Sequence, residues 1–463
     1  MVEVTDLAII GGGPAGFTAA KEAMAYDVKI TIIDNCPQLG GQYHKQIPAE
    51  FKYQQNENHK KTQLFDPLHS SNLTILNDAV VWAINPQPEQ DQFLLSIGGE
   101  AGTPRRLIAK RVIVSPGAYD RPFPFPGWDL PGVMTAGAAQ ILIKNQRILP
   151  GQRFLLAGTG PLQWSLAHLL ISGGARVVSI VDANPFPWKA LGKLPSFWGQ
   201  WERSSEGVKY WSSIITSGVP IHFNHSIYRV EGNEAVERAI IGPASGGANK
   251  SIDVDTICLS YGFTPSSQLS IISGAEHYYS PVFGGYIPVR KESLETTIPG
   301  LFAVGDSTGT GGKDVAIAEG RLAVLGALSQ LKINIHADAI AEIRKQLNRQ
   351  RKFAQILQEL FPYPAELLNK MPADTVICRC EQVTLGDLRA AMQYGFNDQD
   401  NLKTLTRIGM GRCQGRMCKA TLDQMINPLT QEQSPGKEKL KSRPPAIPIT
   451  IESLLEEGVG HVS

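Results

Sequence analysis

The chain alternates short unbroken apolar runs with glycine-rich turns and alanine-rich stretches. Leu7 to Ile10 is one such run, followed by "GGGPAGFTAAKEA". An apolar run of this length suits a parallel strand buried on both faces, and the stretch after the glycines suits a helix. A second apolar stretch, "VKITIID", closes at Asp34. The same strand–turn–helix–strand order recurs in "GQRFLLAGTGPLQWSLAHLLISGGARVVSIVDAN" (151–184), and "GLFAV" runs into Gly305-Asp306 and another glycine turn. Farther on, Ile340, Ile343, Leu347, Phe353, Ile356 and Leu360 recur near helical spacing and predict a linking helix over 337–361. "FPYPAELLNKMP" then breaks that helix. The pattern predicts an α/β protein with two nucleotide folds and a small C-terminal unit.

Gly11, Gly13 and Gly16 give G-x-G-x-x-G between the first strand and helix. Gly11 permits the tight turn, Gly13 lets the backbone approach a pyrophosphate, and Gly16 permits close helix–strand packing. The helix N-terminus offers free N–H donors to the phosphates, and Asp34 stands where an acid accepts from ribose hydroxyls. At Gly305-Asp306 an acid can meet the ribityl chain of a flavin. The helix entered near Gly311–Val315 can aim its N-terminus at the pyrimidine edge of the ring, which gains negative charge on reduction. These two motifs together resemble the two-dinucleotide-fold flavoproteins, with FAD as cofactor.

The second fold departs from the pattern. Gly158 and Gly160 match, Gln163 stands where the third glycine belongs, and the following strand ends in Asp182. In flavoproteins of this kind the second fold binds NAD(P)H. Gln163 is expected to push the helix off the strand or alter the phosphate turn, and Asp182 to disfavour a 2′-phosphate. NADH, a non-reacting nucleotide and a purely structural fold all stay open.

Composition narrows the class. Net charge is +1, with 44 Lys and Arg against 43 Asp and Glu, so nothing pulls the whole chain toward nucleic acid or a membrane surface. The N-terminus lacks a basic n-region and no apolar run is long enough to cross a bilayer, which predicts a cytoplasmic protein without signal peptide or transmembrane segment. Peripheral attachment through partners is the variant of that expectation.

Of the six cysteines, Cys378 and Cys380 form C-x-C, and Cys413 and Cys418 form C-x4-C after 32 intervening residues. A disulfide suits a reducing compartment poorly. Structural zinc usually takes C-x2–4-C pairs, while four thiolates also suit a 2Fe–2S cluster. Gly409, Gly411 and Gly415 would let amides approach inorganic sulfide, and Arg407, Arg412, Arg416 and Lys419 would offset negative charge. Cys36 and Cys258 are isolated, and no C-x-x-C lies beside either nucleotide turn, so disulfide reduction is not expected. No residue stands out as catalytic; His44 in "GGQYHKQ" is the one loop histidine near the expected flavin ring.

"CRCEQVTLGDL…TRIGMGRCQGRMC" resembles the bacterioferritin-associated-ferredoxin-like 2Fe–2S domain fused to one group of flavoproteins. These are the FAD-binding subunits of opine oxidases, of dye-linked proline and hydroxyproline dehydrogenases, and of hydrogen cyanide synthase. "GGGPAG", "GGQ" at 40–42, "PGAYDRPFPFPGWDLPGVMTAGAAQ" at 116–140, "GTGPLQ", "AVGDSTG" and "RPPAIPI" at 443–449 carry the likeness through most of the chain. Ser115-Pro116 departs from it, where Ala-Thr is usual. The resemblance implies a glutathione-reductase- or thioredoxin-reductase-like architecture of Rossmann-like domains. It extends the flavin set to Pro14, Ala15, Asn35, Gly41, Gln42, Val81, Gly117 and Val315, and makes Cys378, Cys380, Cys413 and Cys418 cluster ligands.

The expected organisation is an FAD domain (1–125 and 285–335) interrupted by the second nucleotide domain (126–284). A helical linker (336–372), a 2Fe–2S domain (373–430) and a tail (431–463) follow, the tail being either loose or laid on a partner. The basic residues of the linking helix, among them Arg344 and Arg351, are expected to form a solvated face. A flavin takes up two electrons together and the cluster carries them singly. The resemblance thus implies an oxidoreductase subunit relaying electrons in a heteromeric amino- or imino-acid dehydrogenase. It further implies a glycine-oxidase-like flavoprotein partner, with or without a small third subunit, and a quinone or other acceptor. A self-sufficient NADH-dependent reductase and an assembly subunit with structural zinc are the alternatives.

Overall fold

The computed structural model describes residues 3–43, 68–99, 105–188, 201–395, 398–426 and 442–451. Strand β1 (Glu3–Ile10) turns through three glycines into helix α1 (Pro14–Ala23), whose leading proline lacks an N–H that would have no helical partner there. β2 (Ile30–Ile33) and β3 (Leu73–Leu76) add in parallel on one side of β1. β4 (Val80–Gln87), β5 (Gln92–Gly98) and β6 (Arg105–Val114) form an antiparallel meander, and β6 also pairs in parallel with β1. The chain leaves by β7 (Ala118–Asp120).

The second fold comprises β8 (Val133–Thr135), α2 (Ala136–Lys144), β9 (Arg153–Gly158), α3 (Pro161–Ser172), β10 (Arg176–Asp182), α4 (Trp201–Thr216) and β11 (Ile221–Phe223). A second meander follows, β12 (His225–Glu231), β13 (Arg238–Pro243) and β14 (Lys250–Asp253), before β15 (Thr256–Ser260) returns to the sheet. Its parallel order is β11-β10-β9-β15-β8. β16 (Phe263–Pro265) then runs back antiparallel to β7, so the two crossing strands lie side by side.

After α5 (Gln268–Ile272), the hairpin of β17 (His277–Ser280) and β18 (Gly285–Pro288) leads to β19 (Leu301–Ala303), which rejoins the first sheet beside β6. Helix α6 (Lys313–Gln330) lies against α1. A Cβ on Gly320 would stand 2.2 Å from the Ala15 carbonyl oxygen, so only glycine lets the two backbones meet there. The N-termini of both helices are thereby held on the same side of the sheet.

Helix α7 (Ala337–Leu360) buries Ile343 and Leu347 in the core of the first fold. Its basic residues are not uniformly solvated. Arg351 pairs at 2.6 Å with Glu319 of α6, a carboxylate almost wholly buried, because that buried charge needs cations within reach. Residues 442–451 lie on the chain's own first domain, with the Ala446 N–H donating to the Trp82 oxygen at 2.8 Å. The rest of the expected tail, 431–441 and 452–463, lies outside the described residues.

The C-terminal unit contains β20 (Val376–Cys378), β21 (Val383–Thr384), α8 (Leu385–Gln393), α9 (Gln399–Thr406) and α10 (Lys419–Ile426). Thr384 and Asp387 form a reciprocal capping box at the start of α8. The core of this unit is continuous with that of the second fold. Ile377, Val383, Leu388, Leu402 and Leu422 belong to one apolar cluster with Phe123, Leu155, Val181, Ile227 and Tyr261 of the second fold. Burial of each such aliphatic side chain contributes roughly 1.5–3 kcal/mol, so these two units are joined by core packing.

Candidate functional site

The first nucleotide turn is built by close backbone contact. A Cβ on Gly11 would stand 2.3 Å from the Ser115 carbonyl oxygen, and one on Gly16 would stand 1.8 Å from the Gly11 oxygen. Ser115 donates its hydroxyl to the Ile10 and Gly11 oxygens at 2.9 and 3.0 Å. The residue that departs from the resembled pattern therefore braces the turn. Asp34 accepts from the Gly12 N–H through Oδ2 and from the Cys36 N–H through Oδ1 at 2.8 Å. Asn35 follows it, and the Ala79 N–H donates to the Asp34 backbone oxygen, which brings the start of β4 and Val81 alongside. Gly41, with φ +60°, lies against the turn: its Cβ would be 2.7 Å from the Gly13 Cα, with Gln42 next in sequence. His44 lies outside the described residues.

Across from that turn, Asp306 accepts from the Gly311 and Gly312 N–H groups at 3.1 and 3.2 Å, both on Oδ1. Burial pushes its carboxyl above the usual range, opposed by those two donors. The preceding Gly305 N–H donates to Glu319 at 2.8 Å. Burial alone would raise the Glu319 carboxyl, but Arg290 and Arg351 outweigh it and hold it below the usual range. This buried anion fixes the turn that presents Asp306. Val315 is buried in the first turn of α6, beside Ala15 in the same core. Gly117 and Gly312 have φ +78° and +80°, and a Cβ on either would meet nothing within 4 Å. The two helix N-termini and Asp34 supply N–H donors and an acid of the kind that a flavin dinucleotide requires.

The second turn is differently furnished. Gly160 has φ +83°, and a Cβ there would stand 3.3 Å from the Phe361 Cβ. Gln163 is fully buried and donates its side-chain amide to Asp182 Oδ2 at 2.6 Å, while Asp182 Oδ1 accepts from the Asn184 N–H at 2.9 Å. Burial raises the Asp182 carboxyl to about 7, against the Asn184, Gly160 and Gln163 donors. Gln163 thus hydrogen-bonds the acid at the position where a ribose would be met.

The four clustered cysteines come together from β20, the turn after it, and the segment preceding α10. Cys378 hydrogen-bonds to Cys418, and Cys380 to Cys413. The Cys418 thiol, followed by the Gly409, Glu381 and Cys380 N–H groups, draws Cys378 down to about 5 despite partial burial. Gly411 admits Cys380, whose Cβ would stand 2.3 Å from any Cβ added to the glycine. Among the described residues no three His, Cys, Asp or Glu side chains converge on a point fit for a single metal ion. Four thiolates gathered from these two segments suit a 2Fe–2S cluster.

Residues 5–321 match the pyridine nucleotide-disulphide oxidoreductase family. The chain belongs to that family. Residues 376–427 match the BFD-like [2Fe-2S] binding domain. An opine oxidase subunit from Agrobacterium tumefaciens (strain Ach5) is 31% identical, covering 97% of this chain and 91% of its own. Hydrogen cyanide synthase subunit HcnB of Pseudomonas protegens is 29% identical, with 89% of each chain covered. Among solved structures, L-proline dehydrogenase from P. horikoshii has a TM-score of 0.69 at 22% identity, covering 98% of this chain and 80% of that one. T. acidophilum thioredoxin reductase gives 0.54 at 19% identity, covering 72% and 100%. The last two share the fold.

This family member is an oxidoreductase that binds FAD and a 2Fe–2S cluster. Cys36 and Cys258 form no disulfide, and burial raises the Cys258 thiol to about 12. No helix among the described residues is long and apolar enough to cross a membrane. Sequence reasoning missed Glu319, Gly320, Ser115 as a brace, and Phe361. The first two sit in the second turn of a helix otherwise read as ordinary, and only their neighbours give them meaning. An acid between Ala318 and Gly320 in the mostly apolar "VAIAEGRLA" was the available signal.

Proposed function

We propose that this chain is the FAD- and 2Fe–2S-bearing subunit of a heteromeric amino- or imino-acid dehydrogenase or oxidase. Gly11, Gly13, Gly16, Asp34 and Asp306 would hold the flavin, and Cys378, Cys380, Cys413 and Cys418 the cluster. The flavin supplies two-electron chemistry and the cluster one-electron carriage. A glycine-oxidase-like flavoprotein partner and a quinone-like acceptor complete the proposed complex.

The observation that carries this reading is the placement of the cluster segment against the crossing strands beside the flavin site. Arg416 lies over the Tyr119 ring at 5.3 Å, two residues after Gly117, and Lys419 lies over Tyr286 at 4.6 Å. Both cations flank Cys418. Cys378 and Cys418 are buried, and Cys380 is exposed. The relatives' names, opine oxidase, hydrogen cyanide synthase and L-proline dehydrogenase, supply the C–N donor class.

Purification of the tagged chain from its native source should bring down a second flavoprotein. The complex should reduce a dye with an opine, proline, hydroxyproline or glycine, and the isolated chain should not. A chain that purifies alone and oxidises no C–N donor with any co-expressed neighbour overturns the reading.

A further inference from the structure

The turn that should receive a nicotinamide nucleotide is covered by the chain's own linker. Phe361, immediately after α7, packs its Cβ over Gly160 and sets its ring edge-on to Trp164 of α3 at 5.3 Å. The next residue, Pro362, accepts a hydrogen bond through its oxygen from the Asn184 side chain at 3.1 Å. Asn184 in turn donates its N–H to Asp182, the acid already held by Gln163. Both features that recognise a dinucleotide, the glycine turn and the terminal acid, are thus engaged from within.

The contact continues toward the cysteines. Tyr363 packs against Phe123 and Tyr261, and the Arg121 guanidinium lies over its ring at 3.4 Å. Arg121, almost fully buried, donates to Gln424 of α10 at 2.8 Å, and Tyr279 donates to the same oxygen at 3.2 Å. Helix α10 begins directly after Cys418. Independently, the buried Trp128 donates its indole N–H to the Val376 oxygen at 2.6 Å, two residues before Cys378, and Arg379 donates to the Asp129 oxygen at 3.1 Å. The shared apolar core lies between these two lines of contact.

We propose that the second nucleotide fold is the mount of the cluster domain, with the Phe361–Tyr363 segment seated on its dinucleotide turn in place of a nicotinamide nucleotide. The cluster domain packs on that fold through a continuous apolar core. The flavin then receives its electrons from a donor other than NADH or NADPH. Phe361 and Tyr363 are positioning residues that act through protein packing and set where the cluster stands.

Two measurements on the holoprotein test this. ADP-ribose carries the recognition half of NADH and cannot be oxidised; titrated calorimetrically into wild-type protein, it should give no saturable heat up to about 1 mM. Saturable binding that Asp182→Asn weakens overturns the proposal. In the second, Phe361→Ala should retain FAD and the cluster's paramagnetic signal. Amide hydrogen exchange over 361–372 should rise about tenfold or more as local opening becomes easier. Electron transfer from photoreduced flavin to the cluster should slow. If Phe361→Ala loses either cofactor, Phe361→Leu replaces it in the same exchange measurement, and unchanged exchange overturns the proposal. The exchange and titration results do not depend on which C–N donor is oxidised, so failure of the dehydrogenase reading remains separately visible.

Discussion

Gln163 and Asp182 meet inside the second nucleotide fold at 2.6 Å, amide nitrogen to carboxylate oxygen, with both side chains almost wholly buried. A residue that replaces a glycine thereby consumes the acid that the glycine motif normally serves. The carboxylate sits at about 7 because burial disfavours its charge more than its three donors favour it.

That shift has a pH signature. The folded state holds the Asp182 proton between the ordinary value of 3.8 and about 7, whereas the unfolded state releases it. Stability therefore falls as pH rises through that window, and the penalty is complete above it, at most about 4 kcal/mol. Asp182→Asn removes the penalty, so its melting temperature relative to wild type should be higher at pH 8 than at pH 4.5. A difference independent of pH, measured by differential scanning calorimetry, contradicts this.

Glu319→Gln tests the flavin turn. The substitution leaves Arg290 and Arg351 facing a neutral amide, at a cost of about 3 kcal/mol for a broken, largely buried ion pair. It also weakens the acceptor for the Gly305 N–H. The purified variant should release FAD more readily on dilution and melt earlier, with cluster content retained. FAD retention equal to wild type contradicts the bracing role.

Cys413→Ser should abolish or strongly alter the S = 1/2 signal of the dithionite-reduced cluster. FAD should remain bound, because the flavin turn and the thiols lie in separate domains. Stoichiometric zinc without sulfide in anaerobically prepared wild-type protein would remove the redox role altogether.

Trp128→Phe keeps the aromatic volume but leaves the Val376 oxygen without its indole donor, a loss of about 1–3 kcal/mol for a buried acceptor. Because Val376 precedes Cys378 on β20, cluster loss to a chelator should accelerate while FAD stays bound. An unchanged rate of cluster loss means that this contact does not hold the domain.

Much of this protein was legible along the chain because its signals are local. The apolar run at Leu7–Ile10, the glycines after it and Asp34 fall within one strand–helix–strand unit, so spacing exposes a dinucleotide fold, which Gly305-Asp306 then marks as a flavin fold. The two cysteine pairs each lie within a few residues, and their flanking glycines are read directly. The linking helix announces itself by periodicity. Sequence also flagged Ser115 and Gln163 as misfits, without being able to say what either touches.

What the tertiary structure decided involves partners far apart in sequence. Glu319 acquires its role only where Arg290 and Arg351 converge on it, and Gly320 only where α6 meets Ala15. Phe361 reads as a helix-ending aromatic until the fold places it on Gly160, about two hundred residues earlier in the chain. Glycine spacing specifies a turn able to approach a phosphate, but not what fills the space in front of it. Filling depends on long-range packing of apolar surface, and a one-dimensional pattern carries no record of which distant side chain arrives there.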